Sequence, residues 1–559
     1  MLSWKQQMIG VAVESAERDM AEEFFELLKT PWEFSRESER YEVLICTSPR
    51  VRSGAAQMVL IFSGNPTSFD AQHKVAVRTQ RSGGAVLDDG SRLPFYGAVA
   101  TFHECTKVLL WEETAREPVA FVTKAGEATV LRIGYNLFAE ASHLLTCGQP
   151  VGNADTPTLE MHIALLRDWI TRGGLPLVEI PPVPDGYKFI ACLTHDIDHP
   201  VLKNHRFDHT MFGFLYRSTL GSLIEVGRGR KPMNTLWRNW AAIGRLAFVH
   251  LGFAKDFWSE FDRYLDIEAG RGATYFVIPH GNYPGRSVNG PVPAMRACRY
   301  ELVEVMPQLQ RIIAAGSEVA VHGLDAWLDP EAGRKEREKV SQAVGVTEVG
   351  VRMHWLFFDG NSARALDQAG FSYDSTFGYR ETIGFRAGTA QVFRPPATAR
   401  LLELPLHVMD TALFYPRYLN LDGAAAERMV WHLLDAVERF GGALTINWHD
   451  RSIAPERLWD DFYFKLLVEL ERRGAWMPTA AQATSWFRKR RSAVLQTERV
   501  SADSIRVKGT VSRLDRLPGL KIRVHMPRVG GFLAPAAGGT PAKFQDLRLD
   551  DSTELSIAI

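Results

Sequence analysis

Cysteine is scarce in these 559 residues, and the five present (Cys46, Cys105, Cys147, Cys192 and Cys298) are scattered, odd in number and never spaced as CxxC. Neither a disulfide framework nor a cysteine-ligated zinc site is therefore suggested, and a reducing compartment fits. Long apolar runs are missing too. The nearest, residues 241–254, is interrupted by Arg245 and His250; it falls short of the roughly 18 residues of a membrane span and reads as a core helix. No integral membrane segment is expected. Residues 1–10 lack the apolar core and cleavage site of a secretory signal, so a cytoplasmic location is expected. Net charge is also absent: 65 Lys and Arg balance 65 Asp and Glu. Nothing global then argues for nucleic acid or an anionic membrane as partner. Among chemical motifs there is no GxSxG elbow, no HExxH helix, no GxxxxGK[ST] loop and no strand-linked GxGxxG, which removes the commonest hydrolase, phosphate-binding and dinucleotide signatures.

What is present is the composition of a globular protein, 46% hydrophobic and 23% charged, in a chain long enough for two to four domains. Residues 1–40 carry helical patterning. Short β-rich runs follow, among them Val43–Cys46, Met58–Phe62, Pro118–Val122 and Ala128–Arg132. This predicts an N-terminal mixed α/β accessory domain over 1–180, bounded by the proline-rich stretch Leu175–Gly186. From 187 to 490, strand-like runs alternate with amphipathic helical stretches, the pattern of a parallel (β/α) barrel or a distorted version of one. Within it, Leu401–His407 reads as a single strand. After 495 the pattern turns to alternation, predicting a small β-rich appendage over 495–559.

The stretch Phe189-Ile190-Ala191-Cys192-Leu193-Thr194-His195-Asp196-Ile197-Asp198-His199-Pro200 organises the larger region. An apolar strand ends abruptly in ionisable groups, the way α/β enzymes present chemistry. Three later strands end similarly: Val319-Ala320-Val321 in His322, Val351-Arg352-Met353 in His354, and Leu444-Thr445-Ile446-Asn447-Trp448 in His449. In a parallel barrel these ends share one face. A carboxylate with one or two imidazoles suits a divalent metal with positions left for water and substrate. A second carboxylate could take a water proton and a histidine opposite could protonate a leaving group, which together suggest metal-assisted hydrolysis of an amide or ester.

At these residues the chain resembles the polysaccharide deacetylase family (carbohydrate esterase family 4), in a subgroup with an extra N-terminal domain. The resemblance covers about 187–486. It is carried by Thr194-His195-Asp196-Ile197-Asp198, Gly272–Val277, Glu318–Gly323, Gly350-Val351-Arg352, Tyr373-Asp374-Ser375-Thr376 and Leu444–His449. It implies Asp196 as catalytic base, Asp198 and His322 as metal ligands, Arg352 orienting the base and His449 as catalytic acid, with a zinc-type divalent ion as cofactor. It also implies removal of N-acetyl groups from an amino-sugar polysaccharide or its precursor, as in exopolysaccharide biosynthesis, with a carbohydrate as the partner. The family's second metal histidine, four residues after the first, is replaced by Ala326. Asp325 and His354 compete for the third ligand place, with His195, His199 and His280 behind them. His354 is favoured because it ends its own strand. Two alternatives share this sequence: a degenerate glycan-binding or assembly protein, and an amidohydrolase of a small cyclic amide.

Overall fold

An apolar run without alternation, such as Phe189 to Leu193, needs cover on both faces, which the centre of a parallel sheet supplies. The computed structural model, which describes residues 5–80, 83–87, 90–229, 231–288, 290–501, 503–511, 517–528, 530–533, 543–549 and 552–559, places it there. Eight parallel strands build the sheet: β1 (Phe189–Ile197), β2 (Ala273–Val277), β3 (Glu318–Gly323), β4 (Val351–Met353), β5 (Tyr373–Asp374), β6 (Leu402–Glu403), β7 (Leu406–Met409) and β8 (Ala443–Asn447). Their order is β6-β5-β4-β3-β2-β1-β8-β7, and Ala475–Trp476 adds a short parallel pairing at the start of β1.

The stretch predicted as one strand, Leu401–His407, is two. Strands β6 and β7 are separated by only Leu404 and Pro405, yet they occupy opposite edges of the sheet. Proline has no N–H to give a ladder, so pairing stops and the chain steps across from one edge to the other. Three residue steps span at most about 11 Å, so the two edges of the sheet lie close together and the sheet is curled into a distorted (β/α) barrel.

The crossover helices form where caps and patterning agree. Pro330–Val344 begins with Asp329 accepting the Glu331 N–H at 2.9 Å, has proline in its first turn, and stops at Gly345 in the left-handed region (φ +73°). Gly423–Phe440 is capped by Asp422, which accepts the Ala425 N–H. Their apolar faces join the sheet in one core, including Leu193, Val277, Val321, Val340, Leu433 and Ile446. The helix expected as a core element over 241–254 runs Asn234–His250 and is a surface helix. Leu236, Ala242 and Val249 face inward, whereas Trp237, Trp240 and Phe248 are exposed.

These elements form a unit of residues 187–386 and 390–485; the other unit comprises 1–186, 387–389 and 486–559. In that second unit a nine-stranded mixed sheet includes the parallel set Lys5–Ala12, Tyr41–Cys46, Ala56–Phe62 and Ala128–Ile133, continued antiparallel by Pro118–Ala125 and Val108–Glu112. The helical expectation for residues 1–40 holds only for Arg18–Leu28, because Lys5–Ala12 is a strand. Ile9, Gly10 and Val11 are covered on both faces, so the segment lacks the period-2 signal that marks a strand in sequence. Residues 1–4 lie outside the described chain. Strands Val494–Ser501, Ser504–Thr510 and Ser552–Ala558 form one antiparallel sheet, while Leu520–His525 pairs with both Leu177–Glu179 and Phe544–Leu549.

Candidate functional site

The C-terminal ends of the barrel strands bring the predicted residues together. Asp196 is the eighth residue of β1, with Asp198 immediately after the strand. His322 and Arg352 sit opposite one another in the β3–β4 ladder, His354 follows β4 directly, and His449 stands two residues beyond β8. After His354 the backbone of Trp355 and Leu356 is left-handed (φ +60° and +51°), a rare state for side chains of this size that turns the chain sharply at the site.

Asp198, His322 and His354 form a group able to hold a metal ion, and among the described residues no other group of three such side chains does so. His322 Nδ1 donates to the Arg352 carbonyl at 2.9 Å, and His354 Nε2 donates to the Arg296 carbonyl at 3.0 Å. Each ring's proton is thereby committed outward, so His322 Nε2 and His354 Nδ1 bear lone pairs. These nitrogens face each other at 3.0 Å. The Asp198 Oδ1 atom lies 3.4 Å from both, buried and without a hydrogen-bond donor. Burial holds His354 neutral, its pKa lowered to about 4. Three buried acceptors with no proton among them suit a cation. Ligand atoms tetrahedrally placed around zinc stand about 3.3 Å apart, in keeping with the three separations.

Beside this group, Asp196 is clamped. Arg352 Nη1 donates to its Oδ1 at 3.0 Å, Asn447 Nδ2 donates to its Oδ2 at 2.7 Å, and Oδ2 lies 3.8 Å from His322 Nε2. Arg352 is itself fixed by Thr194 Oγ1, by the Ser375 carbonyl and hydroxyl, and by the Phe276 ring beneath it. Burial pushes the Asp196 carboxyl up, but the neighbouring His322 ring, the Arg352 guanidinium and the charged His449 outweigh it and hold its pKa below 3.8. His449 is in the opposite condition. Burial disfavours its charge, yet the Asp410 carboxylate, at 2.6 Å from Nδ1, overrides this with help from Asp198 and Asp196 and raises it to about 9. Asp410 also accepts the His449 backbone N–H at 2.6 Å and the Ser452 hydroxyl.

Asp325, His195 and His280 are occupied elsewhere. Asp325 accepts from Tyr283 (2.6 Å) and from the Arg286 backbone and side chain. His195 spans the Trp448 carbonyl and Glu268, and His280 is in contact with Lys339. His199 packs on His205 with its Nδ1 buried and unpartnered, and it is not among the three side chains that meet at the metal-type group. Sequence reasoning missed Asp410, Asn447 as a clamp, and the Arg296 carbonyl. Asp410 had a signal: it immediately follows β7, another acid at a strand end.

No family model and no curated relative matches the chain by sequence. Solved structures do. The chain is similar to Agd3, a carbohydrate deacetylase, at 8% identity over 100% of this chain and 99% of that one, with a TM-score of 0.37. It is similar to a chain from Mycobacterium smegmatis assigned as a polysaccharide deacetylase, at 20% identity over 55% of this chain and 94% of that one, TM-score 0.34. PuuE allantoinase is similar at 16% identity over 57% of this chain and 96% of that one, TM-score 0.31. Each TM-score is below 0.5 and each identity below 25%, so the chemistry derived next rests on this chain's own residues.

Proposed function

We propose that the barrel unit is a metal-dependent deacetylase that hydrolyses N-acetyl groups on an amino-sugar polysaccharide or its precursor, with exopolysaccharide biosynthesis as the setting. The observation that carries this reading is the meeting of three proton-free acceptors, on Asp198, His322 and His354, with a clamped carboxylate and a charged histidine beside them. A zinc-type divalent ion held by those three side chains would polarise an amide carbonyl and acidify water.

The remaining work falls to the chain. Asp196 stays ionised at neutral pH, and its two oxygens are oriented by Arg352 and Asn447, so it is ready to accept a proton from water attacking the acetyl carbon. His449 stays protonated through Asp410 and can deliver its Nε2 proton to the amide nitrogen as the C–N bond breaks. Water thus supplies the oxygen, acetate leaves, and the sugar amine is freed. An acid and a base whose pKa values are driven apart by their surroundings is the arrangement such a reaction needs. The carbohydrate substrate is supported by the motif resemblance around Asp196, His322 and His449.

Metal analysis and acetate release test the proposal together. Purified protein should hold close to one divalent metal per chain and release acetate from N-acetylated glucosamine or galactosamine oligomers. Metal-free protein that binds such oligomers without acetate release would make it a glycan-binding module. Turnover of cyclic amides alone would change the substrate class.

A further inference from the structure

The crossover between β1 and β2 carries an outward surface that breaks the rule of apolar inside and polar outside. Helix Asn234–His250 buries one face, including Ala242 and Val249, in a cluster with Leu202, Met211, Phe214 and Trp258. Its opposite face should be polar in water. Instead Trp237, Trp240 and Phe248 project there, 68%, 43% and 54% exposed, with the two indoles edge-to-face at 5.7 Å. The preceding helical run, residues 209–227, repeats the pattern with Phe212, Tyr216, Leu220 and Leu223 at three- and four-residue spacing, all exposed. Of the 26 large apolar side chains exposed among the described residues, twelve fall within residues 207–253. Exposed hydrophobics scattered singly are ordinary, but a cluster marks an interaction surface.

Charge selects the occupant. Residues 207–253 contain six Lys and Arg against two Asp and Glu, in a chain whose net charge is zero. Arg238 and Arg245, both exposed, flank the Trp237–Phe248 stripe at helical spacing. A second copy would bring the same positive field against itself, which disfavours self-association. Aromatic and aliphatic side chains bordered by arginines are instead what seats a helix in the headgroup region of an anionic bilayer. Among the described residues no helix is long and apolar enough to cross a membrane, and the 17 residues of Asn234–His250 extend only about 25 Å. We propose that residues 207–229 and 231–253 form a docking face that lies in the plane of an anionic lipid surface. The proposal is independent of the chemistry at the metal-type site.

Vesicle flotation of the full chain tests it. The protein should float with phosphatidylcholine vesicles containing phosphatidylglycerol at least about tenfold more than with phosphatidylcholine alone, with a blue shift of tryptophan emission. The triple variant Trp237→Ser, Trp240→Ser, Phe248→Ser should lose flotation about tenfold or more while its circular dichroism is unchanged. Should that variant misfold, hydrogen exchange on the unmodified protein decides: vesicles should slow exchange across 207–229 and 231–253. No flotation, equal flotation of a folded triple variant, or no added protection would overturn the proposal. So would a dimer in ultracentrifugation that these substitutions dissociate, if the protein does not float.

Discussion

Replacing Asp410 by asparagine isolates the electrostatics of the proposed acid. In the intact protein the His449 imidazole is raised from 6.5 to about 9, a preference for the charged form on the order of 3 kcal/mol at 1.36 kcal/mol per pKa unit. The nearest cause of the increase is the Asp410 carboxylate, at 2.6 Å from Nδ1. Asparagine keeps an acceptor oxygen in about the same place but removes the charge, leaving burial opposed only by the weaker pull of Asp198 and Asp196. The His449 pKa should then fall from about 9 to near 6.5. At pH 7.5 the protonated fraction would drop from about 97% to about 9%, an approximately tenfold loss of acid-competent enzyme. The assay is imidazole titration by NMR, with His449→Gln to assign the resonance. The alkaline limb of the pH–rate profile is the functional companion, and it should move down with the imidazole. Stability follows with a definite sign. The folded-state value lies above the unfolded one, so the His449 contribution is complete below about 6.5 and disappears as pH rises through about 9. Asp410 is depressed below 3.8, so its contribution is present above that value and is lost as the pH falls through its folded value. An imidazole that still titrates near 9 in the Asp410→Asn protein would refute this account of the proposed acid.

Three further outcomes are expected. Asp196→Asn should abolish acetate release while metal content, measured by elemental analysis, stays near that of the unmodified protein; loss of metal would reverse the roles given to Asp196 and Asp198. His354→Ala should weaken divalent-metal binding at least about tenfold, checked by competition with a chromogenic chelator; unchanged affinity would remove His354 from the ligand set. Gly350→Ala places a Cβ about 2.0 Å from the Tyr373 ring, which is hydrogen-bonded to Glu318. It should cost about 1–3 kcal/mol in denaturant unfolding, and an unaltered midpoint would show that the ring can move at no cost.

Much of the barrel was legible in the chain because its signals are local. Apolar runs of strand length, amphipathic helices with capping aspartates, and ionisable residues at strand ends are each contained in a dozen residues or fewer. The misreadings arose where neighbours supply the burial. Lys5–Ala12 reads as part of a helical stretch because a strand covered on both faces does not alternate. Leu401–His407 reads as one strand because proximity in sequence does not say which edge of a sheet each half joins. The surface helix Asn234–His250 reads as core because composition cannot tell an apolar face that meets the barrel from one that meets solvent.

The chemistry divides along the same line. That Asp196, Asp198, His322, Arg352, His354 and His449 stand at strand ends is a property of the primary structure. Which nitrogen of each imidazole keeps its proton depends on the Arg352 and Arg296 carbonyls, and the charge on His449 depends on Asp410. Asp410 lies 39 residues before His449, yet parallel pairing sets Met409 beside Asn447, just ahead of both. Residue types settle which protons and lone pairs exist, whereas the direction they face is set by strand pairing between distant parts of the chain.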